Sequence, residues 1–297
     1  MIAGDCDPLA PSLYLADDAI RLPGVTSPDY LPALLELVEA RNVRLQVPAI
    51  DTELLLLAQN SRRLLAAGCR VLGSSAAFVA LTRDKWCTAQ EFARCGIDTP
   101  ASWLPGTVKA DDLPDRVFVK PRDGSGSVHA YSATRDGLDS ILSMVPNAII
   151  QEELRGPEIT IDALIDFRGT PIHYVPRIRI RTMGGESIQG RTIPDDSLRD
   201  WLLSLLVQAA GMGATGVLTI QAFLTERGPV LTEINPRFGG GFLLSHAAGA
   251  RYPEWILDML DDQRVAPRLG EYQTELYMSR YYQEHFFNRP VWTPQAG

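Results

Sequence analysis

The chain has 297 residues, 45% of them apolar and 22% charged, the balance of an ordinary globular protein long enough for a sizeable core or for several domains. Its net charge of −8 and the lack of any lysine/arginine run argue against a nucleic-acid surface. Cys6, Cys69, Cys87 and Cys95 form no CxxC pair and fit a reducing cytosol, His129, His173, His246 and His285 are too scattered to suggest a histidine metal cluster, and no apolar run reaches membrane-spanning length.

Taken in order, Met1–Asp5 reads as a short apolar start into a turn. Pro28 to Arg41 reads as a helix capped by Ser27, with Leu31, Leu34, Leu35 and Val38 on one face. Val43, Leu45 and Val47 alternate as a strand, Thr52 to Ala67 is a second helix closed by Gly68, Arg70–Leu72 is a short strand, and Ser74-Ser75 can open another helix. This alternation predicts a parallel, Rossmann-like α/β unit over residues 1–80 that lacks the buried first strand and tight turn with which such units open.

Asp84 to Cys95 is a helix capped by Asp84, with Lys85 in the first turn, where the helix dipole disfavours a cation. Val117 to Pro121 is a strand carrying Lys120, followed by Arg122-Asp123-Gly124-Ser125-Gly126-Ser127. Two glycines between hydroxyl residues can turn backbone N–H groups inward as an anion nest, with the lysine adding a point charge; the same residues would also serve as a plain hairpin turn. The segment is neither a Walker loop nor a GxGxxG fingerprint, since His129 stands where the third glycine should be.

Ala148–Gln151 is an apolar strand that runs into Glu152-Glu153-Leu154-Arg155-Gly156-Pro157-Glu158, a hinge suited to reading a purine edge with backbone groups, or a plain connection. Ile159–Ile165 alternates, with Ile159, Ile161 and Ala163 facing away from Thr160 and Asp162. Arg177, Arg179 and Arg181 recur at period two, as an anion-binding face or a solvated edge strand. Leu198, Trp201, Leu202, Leu205, Leu206 and Ala209 mark a core helix capped near Asp196/Ser197 and closed by Gly211. Gly211 to Gly216 matches GxGxxG literally, but it follows a helix and precedes a strand, the reverse of the dinucleotide-binding order.

The chemistry concentrates in Val217 to Gly241, read as two strands, Val217–Leu224 and Val230–Ile234, about a five-residue loop. That pairing sets Gln221 opposite Glu233 and Thr219 opposite Asn235, so Glu233, Asn235 and Arg237 share a face with Gln221 beside them. One carboxylate and two amide oxygens suit Mg²⁺, Arg237 offers a fork for phosphate oxygens, and Gly239 to Gly241 let backbone approach a ligand. Tyr252–Leu260 reads as helix, Gln273–Gln283 as a strand, and the tail from Asn288 as loose.

These pieces together resemble the ATP-grasp superfamily, in its biotin-carboxylase and carbamoyl-phosphate-synthase large-chain branch, from about residue 1 to 283. Glu233-Ile234-Asn235-Pro236-Arg237 with Gln221 upstream is the most specific piece, and the lysine after Asp84, the Val-Lys-Pro strand, the Gly/Ser loop, the Gln-Glu-Glu-Leu hinge and Glu158 follow in family order. The fold implied is α/β and α+β, an ATP-grasp fold with a truncated Rossmann-like domain at 1–80, a small subdomain with the phosphate loop at 81–150 and a large subdomain with the metal hairpin at 151–297.

The resemblance also implies roles. Gln221, Glu233 and Asn235 hold Mg²⁺ (or Mn²⁺) between the ATP phosphates; Lys85 and Lys120 contact those phosphates; and Gly124, Ser125, Gly126 and Ser127 close over them. Glu152 and Leu154 meet adenine through the hinge backbone, Glu158 accepts the ribose hydroxyls, Arg237 steadies the transferring phosphoryl group, and Arg177 and Arg179 face the substrate carboxylate. The implied protein is a cytoplasmic ATP-dependent carboxylate–amine ligase that acts on small molecules, as a homodimer or with a partner chain covering the short N-terminal domain. Two other readings stand beside it: an ATP-binding subunit of a carbamoyl-phosphate-synthase-like assembly without ligase activity of its own, and an α/β binding domain with coincidental motifs.

Overall fold

Residues 1–124, 126 and 128–292 are described in the computed structural model of the chain, and they divide into two units. The first contains residues 1–46, 60–71 and the C-terminal segment from Tyr281. In it β1 (Ile2–Asp5) pairs parallel with β2 (Asp18–Arg21), and β3 (Leu45–Gln46) pairs parallel with β4 (Arg70–Val71). Parallel pairing is what the strand–helix alternation predicts. Met1–Asp5 differs from expectation, because Ile2–Asp5 is a strand and the turn comes after it, with Asp5 and Asp7 side chains accepting from the amides of Asp7 and Leu9 at 2.9 Å each.

The helix expected from Pro28 begins at Tyr30; Ser27 Oγ accepts from Asp29 N at 3.2 Å and caps no helix. The single helix expected over Thr52–Ala67 is two helices, Asp51–Gln59 and Ser61–Ala66. Asn60 leaves helical geometry between them, at φ −105° and ψ 10°, and the chain crosses there from the second unit into the first. The tail expected to be loose from Asn288 is held as far as Val291, whose amide donates to the Tyr14 hydroxyl at 3.2 Å, while the Phe287 ring stacks on Tyr14 with centroids 3.8 Å apart.

The second unit, residues 47–59 and 72–280, holds two antiparallel sheets. One is made of β5 (Ser102–Trp103), β6 (Arg116–Pro121), β7 (Tyr131–Thr134) and β8 (Ala148–Glu152) in the order β5-β8-β6-β7. The other is made of β9 (Glu158–Ile165), β10 (Pro171–Met183), β11 (Glu186–Thr192), β12 (Gly216–Thr225), β13 (Gly228–Asn235) and β14 (Tyr277–Ser279) in the order β13-β12-β9-β10-β11-β14. The strand expected over Gln273–Gln283 thus shrinks to three residues at the sheet edge.

Each sheet turns an apolar face to a core and a polar face to a shared cleft. Val117, Val119 and Ile150 pack with Leu138 and Val145, so Phe118, Lys120 and Gln151 point the other way. In the large sheet, Ile159, Ile161, Ala163, Leu218 and Ile220 pack on Leu202, Leu205, Leu206 and Ala209 of the helix Arg199–Gly211, whose N-terminus is Leu198 without a side-chain cap. Full burial of each such leucine contributes about 1.5–3 kcal/mol. Thr160, Asp162, Thr219 and Gln221 therefore occupy the opposite face. Gly211 to Gly216 links this helix to β12, as its position in the sequence requires, with Ser75 Oγ 2.3 Å from where a Cβ of Gly213 would stand. Among the described residues no helix is long and apolar enough to cross a membrane, and the four cysteines are free.

Candidate functional site

The register of the large sheet assembles the polar face in rows. Arg177 pairs with Thr160, Thr160 with Gln221 and Gln221 with Glu233; one step along, Val175, Asp162, Thr219 and Asn235 form the next row. Both pairs expected of the hairpin, Gln221 with Glu233 and Thr219 with Asn235, are present. The expected five-residue loop is not. Thr225 pairs with Gly228 about a two-residue turn, and Ala222 pairs with Leu231, so Thr232 is an extra residue in β13 that restores the register. Its hydroxyl donates to the Gln221 carbonyl at 3.0 Å, which satisfies a group that the bulge frees.

Two pockets meet along this face. A cleft of about 620 Å³ is lined by Lys85, Lys120, Leu154, Glu158, Gln221 and Glu233, among others. A smaller hollow of about 80 Å³ is lined by Arg177, Asn235, Arg237, Glu186 and Gly239 to Gly241. Gln221 and Arg179 belong to both. Among the described residues, the side chains of Gln221, Glu233 and Asn235 form no hydrogen bond or ion pair, and no group of three His, Cys, Asp or Glu side chains is placed to hold a metal. One carboxylate with two amide oxygens is a hard, mostly neutral donor set; it fits Mg²⁺ that keeps its other positions for phosphate oxygens and water.

Lys85 opens the helix Lys85–Arg94, which Asp84 caps by accepting from the amides of Trp86 and Cys87 at 2.9 and 3.2 Å. Its ammonium compensates for the unfavourable helix end by donating to the Gly124 carbonyl at 2.7 Å. Lys120 lies on β6 with Nζ 5.9 Å from the Phe118 ring centroid. It keeps some exposed surface toward the cleft, yet protein atoms surround its ammonium closely enough that desolvation pushes its pKa down to about 8; the Glu233 carboxylate opposes that fall and the Lys85 cation adds to it. Gly124 and Gly126 adopt φ of 98° and 75°, as an anion nest or a glycine turn would, while Ser125 and Ser127 lie outside the described residues.

An anion bound beside Lys120 favours its charged form, so anion binding there takes up a proton above pH 8. The Kd for Mg-ATP is expected to rise by up to about tenfold per pH unit above 8. Titration calorimetry in buffers of different ionisation enthalpy checks this, and Lys120→Met removes both the proton uptake and the pH dependence. In the empty protein the sign is opposite. Between about 8 and the ordinary value of 10.5 the unfolded chain binds more protons at this lysine, so its contribution to stability rises with pH.

The remaining predicted residues reach the site with partners that local sequence does not show. Glu158 accepts from Arg179 Nη1, joining the residue assigned to ribose with one assigned to substrate, and Arg179 Nη2 donates to the Gly185 carbonyl at 2.6 Å. Arg177 is 2% exposed on a strand interior to the sheet, which excludes the solvated-edge reading. A register shift between Arg179 and Arg181 ends the period-two arrangement and leaves Arg181 exposed. Arg177 Nε donates to Asp162 Oδ2 at 2.8 Å, and its Nη1 is buried without a partner among the described residues. That atom would stand 2.6 Å from a Cβ at Gly241, so the glycine run lets the hollow reach the guanidinium.

Arg237 donates from Nε and Nη2 to Asp51 at 2.5 and 2.7 Å and from Nη1 to the Phe238 carbonyl at 2.9 Å. Asp51 is 186 residues away and carries no motif of its own. Glu186 was also missed; it packs over Gly240 and pairs with Arg280 at 2.6 Å. Leu154 lines the large cleft with Glu152, whose carboxylate turns toward Arg227 and the Ala101 amide.

The profile of the family described as PylC-like, N-terminal domain, matches residues 1–72, and that described as an ATP-grasp in the biosynthetic pathway with the Ter operon matches residues 144–283. A D-alanine–D-alanine ligase of Corynebacterium urealyticum is 28% identical over 197 residues, 57% of this chain and 54% of that protein. The chain thus spans about half the length of this curated relative. Among solved structures, the biotin carboxylase domain of Hydrogenobacter thermophilus 2-oxoglutarate carboxylase, with MgADP, ADP and bicarbonate, superposes with a TM-score of 0.75 at 16% identity over 93% of this chain and 67% of that one. Biotin carboxylase from Campylobacter jejuni gives 0.76 at 16% identity over 93% and 68%. The fold, with its paired antiparallel sheets and the cleft between them, is the ATP-grasp fold of these biotin carboxylases. Residues 144–283 thus match an ATP-grasp family and residues 1–72 a PylC-like N-terminal domain, within a fold shared with the biotin carboxylases.

Proposed function

We propose that this protein is an ATP- and Mg²⁺-dependent ligase that activates a small carboxylate as an acyl phosphate for attack by an amine or similar nucleophile. The observation that carries this reading is the row of Gln221 and Glu233 beside Asn235, unpartnered where the nucleotide-sized cleft meets the small cationic hollow. The large cleft would take ATP, with its adenine at Leu154 and the backbone of Glu152, its ribose near Glu158, and its phosphates toward Lys85, Lys120 and the Gly124–Ser127 loop. The hollow would take the carboxylate, with Nη1 of Arg177 as its free donor and Arg179 between the two ligands. Bound Mg²⁺, or Mn²⁺, supplies charge neutralisation on the phosphates.

A carboxylate oxygen then bonds to the γ-phosphorus, and the bond from that phosphorus to ADP breaks. The nucleophile next bonds to the acyl carbon, loses its proton and expels phosphate. Lys120 and Lys85 would stabilise the charge that develops in the first step, the main demand of phosphoryl transfer. Two of the three nitrogens of Arg237 lie on Asp51, so its assigned contact to the phosphoryl group would use the second hydrogens of Nη1 or Nη2 while Asp51 holds the fork in place. We keep the division into residues 1–80, 81–150 and 151–297 as the functional one, with the cytosol as location and a homodimer as assembly. The subunit reading finds no support in the likeness to a D-alanine–D-alanine ligase.

An ADP-release screen over small carboxylates with amino acids and other amines tests the proposal. Release that requires both substrates and Mg²⁺ is the expected result. Mg-ATP binding without release across the whole panel would overturn the ligase reading.

A further inference from the structure

Arg227 sits in the two-residue turn of the hairpin that carries Glu233 and Asn235. Its Nη1 and Nη2 donate to the two carboxylate oxygens of Glu152 at 2.9 and 2.5 Å, and its Nε donates to Asp98 at 2.7 Å. Glu152 ends β8 of the small sheet, and Asp98 lies in the segment that leads into β5 of the same sheet. One guanidinium therefore spans the two sheets, across 75 and 129 residues of sequence. A backbone contact marks the same seam, with Leu231 N donating to the Asp98 carbonyl at 2.8 Å.

We infer that Arg227 is a positioning residue that sets the distance between the adenine hinge and the metal hairpin, and so matches the cleft to the length of a nucleoside di- or triphosphate. The inference rests on the nucleotide reading above. Glu152 meets the hairpin at its turn, Gln221 and Glu233 pair farther along its strands, and all three line the cleft with Leu154. A ligand touching both the hinge and the metal residues feels any change in their separation; a ligand touching one does not. A planar fork that engages both Glu152 oxygens and Asp98 together fixes an angle as well as a distance, which a lysine cannot do. At the phosphate end, the Gly126 backbone approaches the turn between β10 and β11, 2.8 Å from where a Cβ of Gly185 would stand. Among the described residues, the side-chain ion pairs that join the two sheets lie at the hinge end, on Arg227.

The side chains of Arg227 and Asp98 are 44% and 47% exposed, so the network adds little to global stability, and its effect belongs in binding. Calorimetry on the wild type, Arg227→Gln, Arg227→Lys and Glu152→Gln, with Mg-ATP, Mg-ADP, adenosine and Mg-triphosphate as probes, tests this. Arg227→Gln is expected to weaken Mg-ATP and Mg-ADP by about tenfold while adenosine and Mg-triphosphate stay within about twofold. Glu152→Gln keeps the acceptor for Ala101 and should follow the same pattern more weakly, and Arg227→Lys should recover part of the loss. Unchanged Mg-ATP affinity in Arg227→Gln overturns the inference, as does a parallel loss for all four probes with a fall in Tm. Failure of the wild type to bind Mg-ATP would instead overturn the nucleotide reading on which the inference rests.

Discussion

Replacing Glu233 and Asn235 together by alanine is expected to abolish Mg²⁺-dependent ATP binding, a loss of at least about 100-fold, while Tm moves by no more than a few degrees. Both residues are half-buried, and among the described residues neither side chain forms a hydrogen bond or ion pair, so their removal orphans no partner. Truncation in the sheet leaves the ladder pairs of Thr219 and Gln221 intact, because these are made by backbone atoms. The variant also removes the attraction that opposes the desolvation of Lys120, so its pKa should fall below about 8 and weaken phosphate binding at neutral pH as well. Calorimetry with and without Mg²⁺, beside a thermal melt, checks both halves. Retention of Mg²⁺-dependent binding in the folded double variant would remove the hairpin from the metal site.

Gly156→Ala is expected to destabilise the second unit by about 3 kcal/mol or more, a fall in Tm of roughly 6–12 °C. Gly156 adopts φ 131°, a region that L side chains rarely enter, and a Cβ there would stand 1.9 Å from the Leu224 carbonyl oxygen. That oxygen belongs to the strand backbone and cannot rotate away like a side chain. The hinge must therefore withdraw from β12, which strains the hydrogen bond from Leu224 N to the Pro157 carbonyl and shifts the adenine end of the cleft. Nucleotide affinity should fall with stability. Gly169→Ala is the control, since its φ of 88° is also positive but nothing lies within 4 Å of the added Cβ; it should cost about 1 kcal/mol. Equal melting of the two variants would show that the close approach at Gly156 is relieved cheaply.

Much of the site was legible because it obeys a local period. Side chains alternate along a strand whatever the strand packs against, so the alternation around Lys120 and the shared face of Gln221, Glu233 and Asn235 could be read from spacing alone. The hairpin shows the limit of that reading. Its turn is shorter than expected, and the bulge at Thr232 compensates, so the predicted pairs stand for a reason that spacing did not contain. The break at Asn60 was missed for a similar reason. Apolar periodicity runs through Gln59 and Ser61, and only the packing of the two halves into different units separates them.

The amino-acid sequence by itself determined which side chains could serve as metal and phosphate ligands, because that depends on residue type and a period of two. Tertiary structure alone decided which charges are already taken. Asp51 reaches Arg237 across 186 residues, Glu158 binds Arg179, Asp162 takes only Nε of buried Arg177, and Arg227 ties the metal hairpin to the hinge. Ion pairing depends on distance in space and on desolvation, and neither quantity is carried by separation along the chain.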